Sequence, residues 1–172
     1  MERTKWFDRK FDFDFTQNIF PSIIDRLRGA PARLDEKLQN VSDDLANKKI
    51  NAAWSIKENI GHLIDLEPLW MGRLDDILAG KTDLRAADLA NTKTDEADHN
   101  RRKIKDLLKE FRAVRSATIK MIEPLTIEQI YMSALHPRLK TPMRTMDHFL
   151  FVAEHDDHHL VTIHTLIQTQ LS

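Results

Sequence analysis

"WSIKENIGHLIDLEPLWMGRLDDILAG", residues 54–80, is the stretch whose reading decides how this chain is built. Apolar residues recur at Ile56, Ile60, Leu63, Leu66, Trp70, Leu74 and Ile77, the three-and-four spacing of one helix face. Ser55, followed three residues later by Glu58, has the form of a capping box, and Gly80 is a natural stop. Pro68 is an interior irregularity able to kink the helix. An amphipathic helix of this length must bury its stripe against others, so the rest of the chain is read for partners.

Three more helical segments flank it. From Asn18 to Asn40, Ile19, Ile23, Ile24, Leu27, Leu34 and Leu38 keep helical spacing. "RGAPARL" interrupts them, with Gly29 placed to close one helix and Pro31 to open the next, so a break or kink is expected there. Residues 42–53 read as a loop and 81–93 as a polar connection. Residues 94–123 read as a third helix, with Thr94 as N-cap and Ile104, Leu107, Leu108, Phe111 and Val114 on its core face. Residues 125–140 form a link with a short helical turn. Residues 141–171 read as a fourth helix capped by Thr141, with Pro142 in its first turn. Residues 1–17 alternate charges with Trp6, Phe7, Phe11, Phe13 and Phe15; no partner strand is evident, so they read as an irregular N-terminal arm on a domain spanning 18–172. The expectation is an all-α fold without strands, a four-helix bundle that is either up-and-down or carries one long crossover.

Composition agrees. The 172 residues suffice for one domain with a real core. A formal net charge of −1 gives no global field to attract nucleic acid or an anionic membrane, and no basic and aromatic stripe suggests nucleic-acid binding. "RRKIK" at 101–105 lies among acids and reads as a solvated face. With no cysteine, disulfides and thiolate metal sites are excluded, so any metal falls to His, Asp or Glu. The first residues lack the apolar core of a signal peptide, and no apolar run approaches the ~20 residues of a membrane span. A cytoplasmic protein is expected.

The stretch "AEHDDHHLVTIHTL", residues 153–166, holds four of the eight histidines. Residues four apart on a helix lie about 40° apart and ~6 Å along the axis, so His155 and His159 share a face. Val152, Ile163 and Leu166 lie beside them, so the pair borders the core. His158 and His164 leave that sector and are expected to face solvent. His148 lies nearly on the same face two turns earlier, as a supporting or core residue. His62 sits at the edge of the apolar stripe of residues 54–80. One His from that helix and two from the last are placed to meet across the bundle. Three neutral imidazoles with open positions suit Zn²⁺, Ni²⁺ or Fe²⁺. The H-E-x-x-H pattern of metalloproteases and the E-x-x-H motifs of di-iron bundles are absent.

Other candidates have plainer readings. Glu58, one turn before His62, is a general-base candidate but fits better as the capping-box partner of Ser55. Asp65 and Glu67 are candidates to orient His62, although Glu67 points away on the wheel. Glu154 and Asp156 read as surface acids. "HPR" at 136–138 is placed to close over the bundle's end, and Arg73 and Arg138, either able to hold a substrate anion, read as ordinary surface charge.

"WSIKENIGHLIDLEPLW", "ALHPRLKTPMRTMDHF" and "FVAEHDDHHL", with "LRGAPARL", resemble the DinB-like superfamily over about Asn18 to Ile167. That resemblance implies a four-helix bundle with a long crossover and a three-His metal site, one His from the second helix and two from an H-x-x-x-H on the fourth. Here these are His62, His155 and His159, holding one divalent ion per chain. The family's H-x-x-H-H form accommodates His158 without making it a ligand. The resemblance further implies a small-molecule substrate, with relatives that are thiol-cofactor transferases, a thiol-dependent isomerase or proteins labelled as hydrolases, and it favours a homodimer. No motif selects among these activities or names a catalytic residue. A non-catalytic metal- or ligand-binding bundle is the alternative, and a hemerythrin-like oxygen carrier ranks last because it needs more His and bridging carboxylates.

Overall fold

The structure is a computed structural model, and it describes residues 3–171. Four long helices form the body: α1 (Phe20–Leu38), α3 (Ile56–Leu78), α5 (Ile104–Ile122) and α7 (Thr145–Leu171). Three short helices lie in the connections, α2 (Asp43–Asn47), α4 (Thr92–Glu96) and α6 (Ile127–Tyr131). α1 packs on α5 and α7, and α3 packs on the same two. Helices α1 and α3, consecutive in the bundle, therefore sit at opposite corners, as do α5 and α7, and the chain crosses the bundle's end to join each pair. No helix among the described residues is long and apolar enough to cross a membrane.

Ser55 caps α3 as its sequence predicts. The Glu58 N–H donates to Ser55 Oγ (3.1 Å) and the Ser55 N–H donates to Glu58 Oε2 (2.8 Å). Lys49 takes the other carboxylate oxygen at 2.7 Å, so Glu58 is spent on structure. Neither Pro68 nor Pro31 breaks its helix. At Pro31 the carbonyl freed by the missing N–H is that of Leu27, which a long 3.5 Å contact from Arg115 Nη1 partly satisfies. The expected break at "RGAPARL" is thus not seen.

Two helix starts differ from expectation. Thr94 is not the N-cap of a long third helix. Asn91 (φ 57°) and Asp98 (φ 51°) adopt left-handed backbone that interrupts the run, leaving α4, a 3-10 turn at His99–Arg101, and α5 from Ile104. The Ile104 N–H then donates to Asp43 Oδ1 at 2.9 Å. Likewise Thr141 and Pro142 do not start α7. Pro142–Arg144 forms a strand, β2, antiparallel to β1 (Ser133–Leu135), with Ala134 opposite Met143. Lys140 at φ 55° turns the chain between them. The expectation of a strand-free chain is corrected by this ribbon, in which Pro142 takes the outer end where its missing N–H costs no bond.

The N-terminal arm holds a 3-10 turn at Trp6–Asp8 and lays Trp6, Phe11 and Phe13 on the core, while Phe7 stays exposed. Arg144 ties it down by donating to the carbonyls of Phe13 and Phe15.

The apolar interior divides in two. One cluster contains Ile23, Leu27, Trp70, Leu74, Ile122, Phe149 and Val152; the other contains Leu34, Ile60, Leu63, Leu107, Phe111, Leu160 and Ile163. Along α3, α5 and α7 the change from one to the other falls at a belt of polar residues: His62 and Glu67 on α3, Arg115 and Thr118 on α5, His155, Asp156 and His159 on α7. All are buried. Arg115 spans the bundle axis, donating to Glu67 Oε1 at 2.6 Å and to both oxygens of Asp156, and Thr118 donates to Glu67. Glu67 and Asp156 are therefore not surface acids, because each answers a buried guanidinium on another helix.

Candidate metal centre

The belt brings His62, His155 and His159 together. One ring nitrogen of each lies within 4.8 Å of the others, and all three residues are buried. His155 Nε2 and His159 Nε2, one helical turn apart on α7, are separated by 3.2 Å. Ligand bonds of about 2.0–2.1 Å place neighbouring nitrogens about 3.0–3.4 Å apart around one ion, so that spacing suits shared coordination.

The outer hydrogen bonds decide which nitrogens carry protons. The Asn59 amide is oriented by its NH₂ group, which donates to the Ser55 carbonyl at 2.8 Å and reaches that of Trp54 at 3.4 Å. Its Oδ1 therefore faces His159 Nδ1, at 2.8 Å, and accepts from it. On the other side, Thr94 Oγ1 donates its one proton to Asp65 Oδ2 (3.0 Å) and so must accept from His62 Nδ1 (3.0 Å). Both rings thus carry hydrogen on Nδ1. Burial keeps His62 neutral down to about 4, against the opposing pull of Asp65 and Asp95. Burial, followed by the charge of a neighbouring imidazole (His62 for His155, His155 for His159), holds both well below the usual imidazole range. A neutral ring protonated at Nδ1 offers a lone pair at Nε2, the form a metal requires. The donor set fits a borderline divalent ion such as Zn²⁺, Ni²⁺ or Fe²⁺.

The triad lies on the wall of a cavity of about 420 Å³. Trp54, with its ring centre 4.6 Å from that of His62, and Trp6, 5.0 Å from that of His155, flank the imidazoles. Leu66, Leu69, Trp70 and Phe151 supply apolar wall, and Arg73, His136 and Arg138 line the same cavity.

The remaining histidines sort by environment. His164 is exposed, as expected. His158 does not simply face solvent: its ring lines the cavity beside Trp6, and burial lowers its pKa to about 4. The arm, which covers that sector of α7, accounts for the difference. His148 is a core residue whose Nε2 donates to the Trp70 carbonyl at 2.9 Å. Arg73 is 2% exposed rather than at the surface. Asn59 and His99 went unnoticed in the sequence, where Thr94 reads only as an N-cap and His136 only as part of the "HPR" placed to close over the bundle's end. His99 Nε2 donates to Asp65 Oδ2 at 2.8 Å, and its ring rests where any side chain at Gly61 would be. Only the position of Asn59, one turn before His62 on α3, hinted at a role.

A helical bundle whose middle layer presents three convergent imidazoles to a cavity defines the class. The chain belongs to the DinB superfamily, whose family model matches residues 26–163. Among solved structures it is similar to YfiT from Bacillus subtilis, described as a probable metal-dependent hydrolase with an unusual four-helix bundle topology. The TM-score is 0.76 at 18% identity, over 94% of this chain and 93% of that one, which establishes the shared fold. No curated protein matches the chain.

Proposed function

We propose that the chain is a divalent-metal-dependent enzyme acting on a small molecule, with His62, His155 and His159 as ligands of one ion. The observation that carries this reading is the meeting of three neutral imidazoles, two with Nε2 lone pairs fixed from behind, on a cavity wall. A purely structural site closes its donors around the ion; this one faces about 420 Å³, room for a substrate. When bound there, the ion supplies Lewis acidity, which polarises a carbonyl or activates water or a thiol near neutral pH. The chain's own residues hold and shield. Asn59 and the Thr94–Asp65 pair fix the rings, while Trp54 and Trp6 keep bulk water from them.

The reaction is a hydrolysis or a transfer to a low-molecular-weight thiol, since both use the same open position. The description of YfiT supports the hydrolytic branch. The same proposal places the enzyme in the cytoplasm as a homodimer; a monomer mass by light scattering would remove the dimer alone.

The test is calorimetric titration of untagged protein with Zn²⁺ and Ni²⁺. His62→Ala, His155→Ala and His159→Ala should each reduce affinity by at least the 10–100-fold seen for outer-sphere losses. His164→Ala should not. Intact binding in His62→Ala would remove the cross-helix site. Metal-loaded protein that turns over neither activated esters and amides nor thiol-plus-electrophile pairs would favour the non-catalytic binding bundle.

A further inference from the structure

The cavity has a second polar group, and it consists almost entirely of donors. Arg73 is buried on α3. Its Nε donates to the Arg85 carbonyl at 3.1 Å, and its Nη1 lies 3.1 Å from His136 Nε2. His136 follows β1, and its Nδ1 receives the backbone N–H groups of Arg138 (3.2 Å) and Leu139 (3.1 Å). A neutral imidazole has one lone pair in the ring plane. If Nδ1 accepts from the amides, Nε2 carries a proton toward Arg73; if Nε2 accepts from Arg73, the amides face an N–H. Either way one buried donor has no acceptor.

Arg138 adds to the imbalance. Its Nη2 is buried without a hydrogen-bond partner, and its guanidinium carbon lies 5.3 Å from the Phe7 ring centre. Among the described residues neither arginine is ion-paired with a carboxylate. Asp76, the acid whose charge acts on Arg73, is already held by Lys81 at 2.7 Å and Arg85 at 2.8 Å. Asp88, the one carboxylate among the lining residues, accepts from the Ala90 and Thr92 N–H groups instead. Burial and the neighbouring Arg138 charge lower Arg73 only to about 10, so it stays cationic at neutral pH. Two cations and a surplus donor on one cavity wall, with no carboxylate paired to them, match the needs of an oxyanion.

We propose that Arg73, His136 and Arg138 form an oxyanion subsite that receives the carboxylate or phosphate end of the small molecule whose other end meets the three-His cluster. The subsite rests on the reading of the cavity as a small-molecule site. Trp70 is the spacer between the two poles: its ring centre lies 5.6 Å from the Arg73 guanidinium carbon and 5.6 Å from the His155 ring centre. A substrate bridging them carries its anionic group about one aromatic ring's breadth from the reacting bond, with apolar atoms against Trp70 and Phe151. Arginine offers a planar fork to such an end group, which lysine does not.

All three tryptophans line the cavity, so intrinsic fluorescence reports its occupancy. The experiment titrates the full-length protein, after removal of metal with a chelator, with propionate and separately with inorganic phosphate, against sodium chloride of equal ionic strength. Saturable binding of either oxyanion is expected, and the tighter of the two names the end group. Half-buried Arg138→Met should weaken it about tenfold or more, the worth of a charge-assisted hydrogen bond. Arg73→Lys should weaken it too, with thermal melting checking that the variant folds. No saturation with either oxyanion, or a response that chloride reproduces, would overturn the subsite. So would binding that appears only after zinc is added and survives in Arg138→Met, because the anion would then be a ligand of the metal; that result leaves the metal reading standing. Oxyanion binding by a protein that takes up no metal would support the subsite and sink the metal reading alone.

Discussion

Thr94→Val removes one hydroxyl, keeps the side chain's shape, and tests the architecture behind His62. In the native chain the proton on His62 Nδ1 is accepted by Thr94 Oγ1 at 3.0 Å, which passes its own proton to Asp65 at 3.0 Å. Valine leaves His62 Nδ1–H buried without an acceptor, a loss of about 1–3 kcal/mol. The ring is then free to move its proton to Nε2 and point a donor at the ion. Losing such an outer-sphere partner typically costs 10–100-fold in metal affinity, or about 1.4–2.7 kcal/mol. Asp65 keeps His99 at 2.8 Å, so the surrounding loop should hold. Zinc affinity measured against a competing chelator should fall by that factor in Thr94→Val and return to within a few-fold of native in Thr94→Ser. Long-range nitrogen–proton NMR of metal-free protein should show His62 and His159 protonated at Nδ1. Native zinc affinity in a folded Thr94→Val, or an Nε2-protonated His62 in the native protein, would refute the relay.

Arg115→Met should destabilise the fold by about 3–5 kcal/mol in urea melts, because it strands Glu67 and Asp156 in the core; a loss under 1 kcal/mol would show that the belt tolerates their charge. Gly61→Ala, which in an exposed helix stabilises by about 1 kcal/mol, should here destabilise by about 1–3 kcal/mol, since the new Cβ would fall 2.2 Å from His99 Cδ2; a stabilised variant would mean that the ring moves freely. Acid should unfold the metal-free protein early. Burial lowers His62 to about 4 and His148 to about 3, and puts His155 and His159 well below the usual range. The unfolded chain therefore binds protons below about pH 6.5 that the folded chain refuses. Stability is complete above that pH and falls below it, by up to about 1.4 kcal/mol per pH unit for each such imidazole. A urea midpoint unchanged between pH 7 and pH 5 would contradict the burial of these rings.

How much of this was legible follows from what a helical wheel measures. It orders residues around one helix, so the stripe of α3, the Ser55–Glu58 box and the shared face of His155 and His159 are all readable. Helix starts depend on single backbone angles. The left-handed turns at Asn91 and Asp98 cut the expected third helix short, and that cut made Thr94 a partner of His62 instead of an N-cap. Gly29 and Pro31 signalled a break by residue type, but the helix runs on, and Arg115 from another helix reaches the freed Leu27 carbonyl.

The polar belt was misread for a deeper reason. A wheel drawn for α7 puts Asp156 one step of about 100° from His155, off the apolar stripe and hence toward water. In the bundle that step leads to the axis, where Arg115 waits. Arg73 suffered the same error on α3, because the ribbon after α6 and the segment after α3 fold back over that face and bury it. Apolar residues announce burial by their own chemistry, so their pattern survives without knowledge of neighbours. The buried charges of the belt, Glu67, Arg115 and Asp156, are stabilised by one another across helices, which no single wheel displays. A reading confined to one helix at a time therefore finds the two apolar clusters and the histidine pair, and misses the charged residues that hold the layer between them.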